Sequence, residues 1–384
     1  MESKKNKLKN ISKSNIIMAI ILLVYGISLV FLYYNQAVST DSGFPSDLPF
    51  HINFGLTGVS CYNILYSILA LLWKMRGGAY VIAALLSLLT LSSIFASYKL
   101  FGYLLPCFNQ NNLLVIAIIS NMVMPFYITV LNDNHLGLQG SVIYHNSTFI
   151  AMKPFAILSL LVFFHLREKY QTKITFKDWI RFATVLLVAT VIKPNFLFGF
   201  APAMLIAMII DFIKGHGESL IRFILLGTTV FPAIIIMAYQ YTVLFNNQSK
   251  VGLSFATFLK HFAQNSLASP FQSIVFPLII LIFNYKDLFK DKIFSFGWLF
   301  GFVNFIIYLF VSEEGIRKYD GNFTWGYSFA VGALFMVCIY KLAQNWILQN
   351  KSTKYYILAT ASLSVHVFCW GIYYLKLLSG GPYW

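Results

Sequence analysis

The chain has 384 residues, of which 58% are hydrophobic and only 11% are charged, and its mean hydropathy is +0.71. A soluble domain carries about 25% charged residues, so this composition excludes an ordinary soluble globular protein. The net charge of +15 does not indicate a nucleic-acid partner. Lys and Arg are concentrated in short segments between apolar runs, as in the cytoplasmic loops of membrane proteins.

Apolar runs of about 20 residues recur along the whole chain, and each is long enough to cross about 30 Å of hydrocarbon as a helix. They lack the alternation of apolar and polar residues that is typical of barrel strands. The sequence therefore predicts an all-α polytopic membrane protein, with residues 1–384 in a single integral membrane domain. The eleven predicted crossings are 15–34, 78–98, 113–131, 148–166, 180–195, 196–210, 222–244, 271–284, 294–311, 327–340 and 357–378.

The apolar run Phe54–Trp73 decides the sidedness of everything that follows it. If this run does not span, 19 of the 28 basic residues lie on the cytoplasmic side. If it does span, the 28 basic residues are divided equally between the two sides. The positive-inside bias favours the first arrangement. We therefore expect a multi-pass protein of the plasma membrane with a cytoplasmic N-terminus. Residues 35–77 would form a first outer loop with a helix lying along the membrane surface.

The first outer loop contains TDSGFPSDLPFHI, from Thr40 to Ile52, which places ionisable groups at the membrane boundary. Such groups are costly there and are often functional. Asp47 directly precedes Leu-Pro, so it is placed to cap a helix with Pro49 in its first turn. His51 follows one turn later and is a candidate substrate-binding residue. Two interpretations of Asp47 stay open: a helix cap, or a general base that deprotonates a hydroxyl acceptor.

Further segments place polar side chains on the same predicted outer side. Lys193, in VIKPNFLFGFAP, and Arg317, in SEEGIRKYDGNFTWGYS, are cations that can hold a phosphate, Arg through two hydrogen bonds and Lys as a point charge. Glu313, Glu314 and Asp320 are candidates to orient Arg317. The stretches YHNS and GNFTW supply amide, hydroxyl and ring groups of the kind that bind sugars. The candidate sugar-binding residues there are His145, Asn146, Asn322 and Trp325.

This arrangement resembles the GT-C superfamily of integral membrane glycosyltransferases. Its members transfer a sugar or oligosaccharide from a polyprenyl-phosphate carrier on the outer face of the membrane. The resemblance lies in the cytoplasmic N-terminus and in the single crossing before a long outer loop with an early Asp. It also lies in the short motifs YKLFGYLL (Tyr98–Leu105) and VIKPNFLFGFAP (Val191–Pro202).

The resemblance implies roles for single residues. Asp47 matches the catalytic base, with Asp41 as the second candidate, and Asp133 matches a second acidic position in a later outer loop. Lys193 would lie near the lipid phosphate. The implied partners are a polyprenyl-phosphate-linked sugar, a glycan or lipid acceptor, and the lipid bilayer. No cofactor is expected, and because the outer loops carry no DxD motif, a divalent cation is not favoured.

Other interpretations remain open. Acidic loop residues are often simply solvated, and a Lys at a helix end commonly extends to the interface. A polymerase or ligase acting on polyprenyl-pyrophosphate oligosaccharides would depend on Arg317 and Lys193 more than on a base. A flippase or transporter would place polar residues at mid-depth in broken helices, whereas the polar groups of this sequence lie at the outer rim.

Overall fold

The structure is a computed structural model that describes residues 13–39, 43–58, 62–127, 139–244, 249–315 and 317–383. Helices are the dominant secondary structure of these ranges, because a helix satisfies its own backbone groups in lipid. Their α-helices are, in chain order, α1 (Lys13–Val38), α2 (Leu48–Thr57), α3 (Ile64–Trp73), α4 (Gly78–Leu104), α5 (Gln110–Ser120), α6 (Ser147–Lys169), α7 (Phe176–Ile192), α8 (Asn195–Lys214), α9 (Leu220–Gly227), α10 (Phe231–Leu244), α11 (Thr257–Phe262), α12 (Ala268–Ser273), α13 (Val275–Asn284), α14 (Lys292–Phe310), α15 (Thr324–Leu348) and α16 (Thr353–Leu378).

Eight segments of the described chain are helices long and apolar enough to cross a membrane, and they confirm the predicted polytopic helical class. They are α1, α4, α6, α8, the combined α9–α10 segment (Leu220–Val243), α14, α15 and α16. The other three predicted crossings coincide with shorter helices: α5 has 11 residues, α7 has 17 and α13 has 10. The last four residues of the predicted crossing 113–131 lie outside the described ranges.

The run predicted not to span, Phe54–Trp73, begins within the short helix α2 and ends with the short helix α3. Each has 10 residues and is therefore about 15 Å long, which is about half the length of a crossing. The two helices are in close contact at Gly55, where an added Cβ would lie 2.0 Å from the backbone oxygen of Tyr66. Neither helix is long enough to cross the bilayer by itself.

The centre of the helical bundle is formed by α15 and α6. Nearly all of α15 is buried, as are most residues of α6. α6 packs against α4 and α7, while α15 packs against α14 and α8. Both central helices begin at the same end of the molecule, where the ring of Trp325 in α15 lies 6.4 Å from that of Phe149 in α6. Residues just before these two helices are therefore brought together.

A two-stranded antiparallel sheet extends beyond the last residue of α14. It pairs β1 (Ser249–Leu253) with β2 (Val311–Gly315), and Val251 stands opposite Glu313. The chain after β1 is also attached to α14, since the backbone N–H of Ala256 donates to the carbonyl oxygen of Leu309 at 2.7 Å. These contacts fix β2 and the segment after it close to the start of α15.

Charged side chains are paired directly at the opposite end of α6. Arg167 donates to the two carboxylate oxygens of Asp211 in α8, at 2.7 and 3.1 Å, and both side chains are buried. Lys341 of α15 lies 3.2 Å from a carboxylate oxygen of Asp291, which caps α14. These ion pairs connect α6 to α8 and α14 to α15.

Candidate functional site

The candidate site lies where α2, α6, α8 and α15 begin and α7 ends. The sequence had suggested its residues from separate segments, and the folded chain brings six of them into one cluster. They are Asp47, His51, His145, Asn146, Lys193 and Trp325.

Asp47 stands directly before α2, but its side chain makes no capping hydrogen bond. Its backbone is in the right-handed helical region (φ −77°, ψ −8°), whereas a capping residue usually adopts an extended conformation. Oδ2 of Asp47 instead accepts a hydrogen bond of 2.6 Å from Nδ2 of Asn146. The capping interpretation of Asp47 is therefore wrong, and the carboxylate contacts the start of α6.

Asn146 connects two charged groups through one amide. Its Oδ1 caps α6 by accepting from the N–H of Phe149 at 2.9 Å, and it also accepts from Nζ of Lys193 at 3.1 Å. Its Nδ2 donates to Asp47. Because an amide donates on one side and accepts on the other, Asn146 holds the carboxylate and the ammonium apart while contacting both.

Lys193 directly follows α7 and is buried. Besides Asn146, its Nζ donates to Oγ1 of Thr148 at 2.8 Å and lies 5.1 Å from the ring centroid of Trp325. These partners are an amide, a hydroxyl and a ring, all of them uncharged. A buried cation with such surroundings is costly, and an anion bound beside it would stabilise it.

Burial shifts the pKa of both charged groups. It raises the pKa of the Asp47 carboxyl, although the hydrogen bond from Asn146 and the charge of Lys193 act to lower it. Burial also lowers the pKa of Lys193 to about 7, and the charge of Asp47 opposes that change. A raised pKa makes Asp47 a stronger base than a carboxylate in water, which suits a group that takes a proton from a hydroxyl.

The two histidines of the cluster are buried, and burial lowers the pKa of each to about 3. Nδ1 of His51 shares a hydrogen bond of 2.7 Å with Oγ of Ser147. The ring of His145 is stacked on that of Tyr383, with 3.6 Å between the ring centroids. Sequence reasoning missed Tyr383, since no motif marks it and only the tertiary fold places it beside the cluster.

A cavity of about 590 Å³ opens beside Lys193, a size typical of small-molecule sites. Much of its wall is apolar and comes from α10 and from the connection between α7 and α8. Its lining residues with polar groups include Tyr66, Thr148, Lys193, Arg317 and Asn322. Asp47 is not part of this lining and is joined to it through Asn146.

Arg317 lines the cavity from the segment after β2. Its Nε lies 3.0 Å from Oδ2 of Asp320 and 3.5 Å from Oε1 of Glu313. Glu313 is buried, and both of its carboxylate oxygens accept from Nδ2 of Asn322 at 2.9 Å. The sequence suggested Glu313 only as a partner of Arg317, but the structure shows that it also fixes the side chain of Asn322.

Two predicted carboxylates, Asp41 and Asp133, lie outside the described residues. Within the described ranges, no three His, Cys, Asp or Glu side chains are grouped as ligands for a metal ion. The expectation of chemistry without a metal stays a prediction.

The fold is similar to that of a solved archaeal enzyme. The crystal structure of the Archaeoglobus fulgidus oligosaccharyltransferase in its apo form matches with a TM-score of 0.52 and 10% sequence identity. The match covers 95% of this chain and 56% of that one, so the chain spans little more than half the length of that enzyme. At this identity the likeness shows a shared polytopic helical fold and no more. No family model and no curated protein matches the sequence.

Proposed function

We propose that the chain is a membrane glycosyltransferase that moves a sugar from a polyprenyl-phosphate donor to an envelope glycan or lipid-linked acceptor. The fold supports glycan transfer at a coarse level, because it is similar to that of an oligosaccharyltransferase. We place the protein in the plasma membrane with a cytoplasmic N-terminus and the site on the extracytoplasmic face, as the distribution of basic residues suggests.

One observation carries the proposal: Asp47 and Lys193 are held on opposite sides of the Asn146 amide, next to a large cavity. Sugar transfer from a lipid phosphate needs a base for the acceptor and a cation for the phosphate. Direct pairing of Asp47 with Lys193 would neutralise both groups. The Asn146 amide keeps them close without such pairing.

In the proposed reaction, Asp47 takes the proton of an acceptor hydroxyl while the hydroxyl oxygen attacks the anomeric carbon of the donor sugar. The bond between that carbon and the phosphate oxygen breaks, and the lipid phosphate leaves with the additional negative charge. Lys193 and Arg317 stabilise this charge where it develops. The proton on Asp47 then passes to water.

The cavity suits an amphiphilic donor. Its cations, Lys193 and Arg317, are suited to a phosphate, whereas Ile234, Met237 and Ala238 of α10 supply apolar wall for the first isoprene units. The presence of two cations in one cavity also favours a second candidate function. A polymerase or ligase that acts on a polyprenyl-pyrophosphate oligosaccharide would use both cations for the two phosphates.

The test replaces Asp47 with Asn, which preserves shape and the contact with Asn146 but removes the base. The purified full chain is supplied with polyprenyl-phosphate-linked radiolabelled hexoses and a membrane extract as the source of acceptors. We expect Asp47→Asn to lower the turnover rate about 10²–10⁴-fold, the usual contribution of a general base. Donor binding and the melting temperature should stay near wild type.

Asp178→Asn serves as the matched control, because Asp178 is a partly exposed carboxylate in α7 whose pairing with Lys169 is at the other end of α6. It should retain wild-type turnover. If Asp47→Asn transfers sugar as fast as the wild type, Asp47 is not the base. If the wild type transfers no sugar from any of these donors, the proposed function itself fails.

A further inference from the structure

A second cavity, separate from the candidate site, lies between the α11–α12 segment and helices α14 and α15. It has a volume of about 370 Å³, and its wall is almost wholly apolar. Phe271 and Phe302 stand at this groove and are largely exposed, at 63% and 61%. An apolar groove of this kind on the side of a membrane protein is open to the hydrocarbon of the bilayer.

The groove follows the helix axes. Its lining on α14 runs from Trp298 to Leu309, and its lining on α15 runs from Leu334 back to Tyr327. Eleven steps along α14 correspond to about 16 Å, which is close to half the thickness of about 30 Å of a hydrocarbon core. The groove therefore has the length and direction of one lipid chain within a single leaflet.

A cation stands at one end of the groove. Lys260 of α11 is exposed, and its Nζ lies 5.0 Å from the ring centroid of Phe255. Phe255 is 5.4 Å from Phe310, the last residue of α14. In the described part of the chain this ammonium contacts a ring and no carboxylate. The charge is thus at the end of the groove where a lipid headgroup would lie, with apolar wall extending from it into the membrane.

The charged end of the groove is also close to the candidate site. Phe258 of α11 packs against Gly321, where an added Cβ would lie 2.2 Å from its ring. Gly321 directly precedes Asn322, which lines the first cavity. The Phe258–Gly321 contact therefore joins α11, which lines the groove through Leu259 and Lys260, to the segment that lines the first cavity.

We propose that this groove binds one hydrocarbon chain of an anionic phospholipid, with the phosphate of the headgroup beside Lys260. The bound lipid lies in the same leaflet as the candidate site and supports α11, whose Phe258 packs against Gly321 next to Asn322. This lipid site does not depend on the proposed glycosyltransferase activity.

The test is native mass spectrometry of the full chain in detergent, titrated with phosphatidylglycerol or with phosphatidylcholine. We expect one phosphatidylglycerol molecule to stay bound at concentrations where phosphatidylcholine dissociates. Lys260→Gln should weaken phosphatidylglycerol binding about 5-fold, since one basic residue near a lipid surface contributes about 1 kcal/mol. Lys250→Gln is the matched control, because Lys250 is an exposed cation of β1 outside the groove.

A second pair of variants tests the apolar part. Gly301 lines the groove, and an added Cβ there meets only Leu334 at 3.5 Å, an ordinary contact. Gly301→Ala should therefore bind phosphatidylglycerol like the wild type, whereas Gly301→Leu should fill the groove and abolish the bound molecule. Equal retention of the two lipids, or unchanged binding in Lys260→Gln, would overturn the proposal whether or not Gly301→Leu folds.

Discussion

The two ends of α6 both hold buried charge, but they hold it differently. At the end with Arg167, the guanidinium and the carboxylate of Asp211 are in direct contact at 2.7 Å. At the end with Asn146, the carboxylate of Asp47 and the ammonium of Lys193 each contact the amide instead. Charges that are paired with each other connect helices but interact only weakly with a ligand. Charges that are kept apart by an amide remain able to bind a ligand or to react.

The comparison predicts that substitutions at the Arg167 end of α6 change stability, whereas substitutions at the Asn146 end change activity. Breaking a buried ion pair leaves one charge without a partner and is strongly destabilising. Removing a buried cation that has no carboxylate partner takes away a charge that was costly to bury. The same type of substitution should therefore have opposite consequences at the two ends of one helix.

The largest effect is expected for Asp211→Asn. It leaves the guanidinium of Arg167 buried without its carboxylate and should reduce the free energy of unfolding by about 3–5 kcal/mol. The measurement is the melting temperature in detergent, with Asp178→Asn as the control. Asp178 belongs to a partly exposed pair with Lys169, and Asn keeps an oxygen for the hydrogen bond from the backbone N–H of Thr175. Asp178→Asn should therefore cost about 1 kcal/mol or less. If the melting temperature of Asp211→Asn equals that of Asp178→Asn, the ion pair between Arg167 and Asp211 does not stabilise the protein.

Lys193→Met should act on binding and not on stability. Loss of a charged hydrogen-bond donor to the donor phosphate costs about 1.5–3 kcal/mol, which corresponds to a KM about 10–100-fold higher. Its melting temperature should equal or exceed that of the wild type. Both quantities are measured on the same preparation. A large fall in melting temperature with an unchanged KM would show that Lys193 is a structural residue.

Asn146→Ala should affect both properties moderately. The variant loses the cap of α6, which costs about 1 kcal/mol of stability, and it removes the amide between Asp47 and Lys193. A second variant, Asn146→Asp, separates the two effects. It retains an oxygen that caps α6 but places a second carboxylate beside Asp47. Its charge should raise the pKa of Asp47 further. The acidic limb of the pH–rate profile should then move to higher pH, whereas a profile identical to wild type would contradict the bridging role.

The smallest effect is the pH dependence of donor binding. Because burial lowers the pKa of Lys193 to about 7, the cation is present below that pH and is lost as the pH rises through it. The KM for the donor should therefore increase from pH 6 to pH 8. Lys193→Arg keeps its charge over this range and should flatten the curve. A KM that is constant with pH in the wild type would exclude Lys193 from phosphate binding.

The fold class could be predicted because it follows from run lengths and charge alone. The basic residues also predicted that Phe54–Trp73 does not span. The helices there, α2 and α3, have 10 residues each, and the sidedness that follows stays a prediction. Crossing lengths were harder to predict. The run 113–131 is mostly apolar, but α5 ends at Ser120. The polar Asn121 and then Pro125 follow in a largely buried irregular segment that average hydropathy does not distinguish from a helix.

The sequence identified several residues of the candidate site, but it could not show which of them contact one another. Local motifs pointed to Asp47, Asn146 and Lys193 separately, yet the hydrogen bond between Asp47 and Asn146 joins residues 99 positions apart. The capping interpretation of Asp47 relied on local sequence, and tertiary packing overrode it. Tyr383 could not be found at all, since only the folded chain places its ring on His145.

The contact between Gly55 and the backbone of Tyr66 fixes how far the proposed base stands from the first cavity. Asp47 precedes the helix that contains Gly55, and Tyr66 lines that cavity. Even a methyl group at position 55 would push the two helices apart, since its carbon would lie 2.0 Å from the oxygen of Tyr66. All side chains of the site would still be present, but Asp47 would lie farther from the first cavity. The geometry of the candidate site thus depends on a residue whose side chain is a single hydrogen atom.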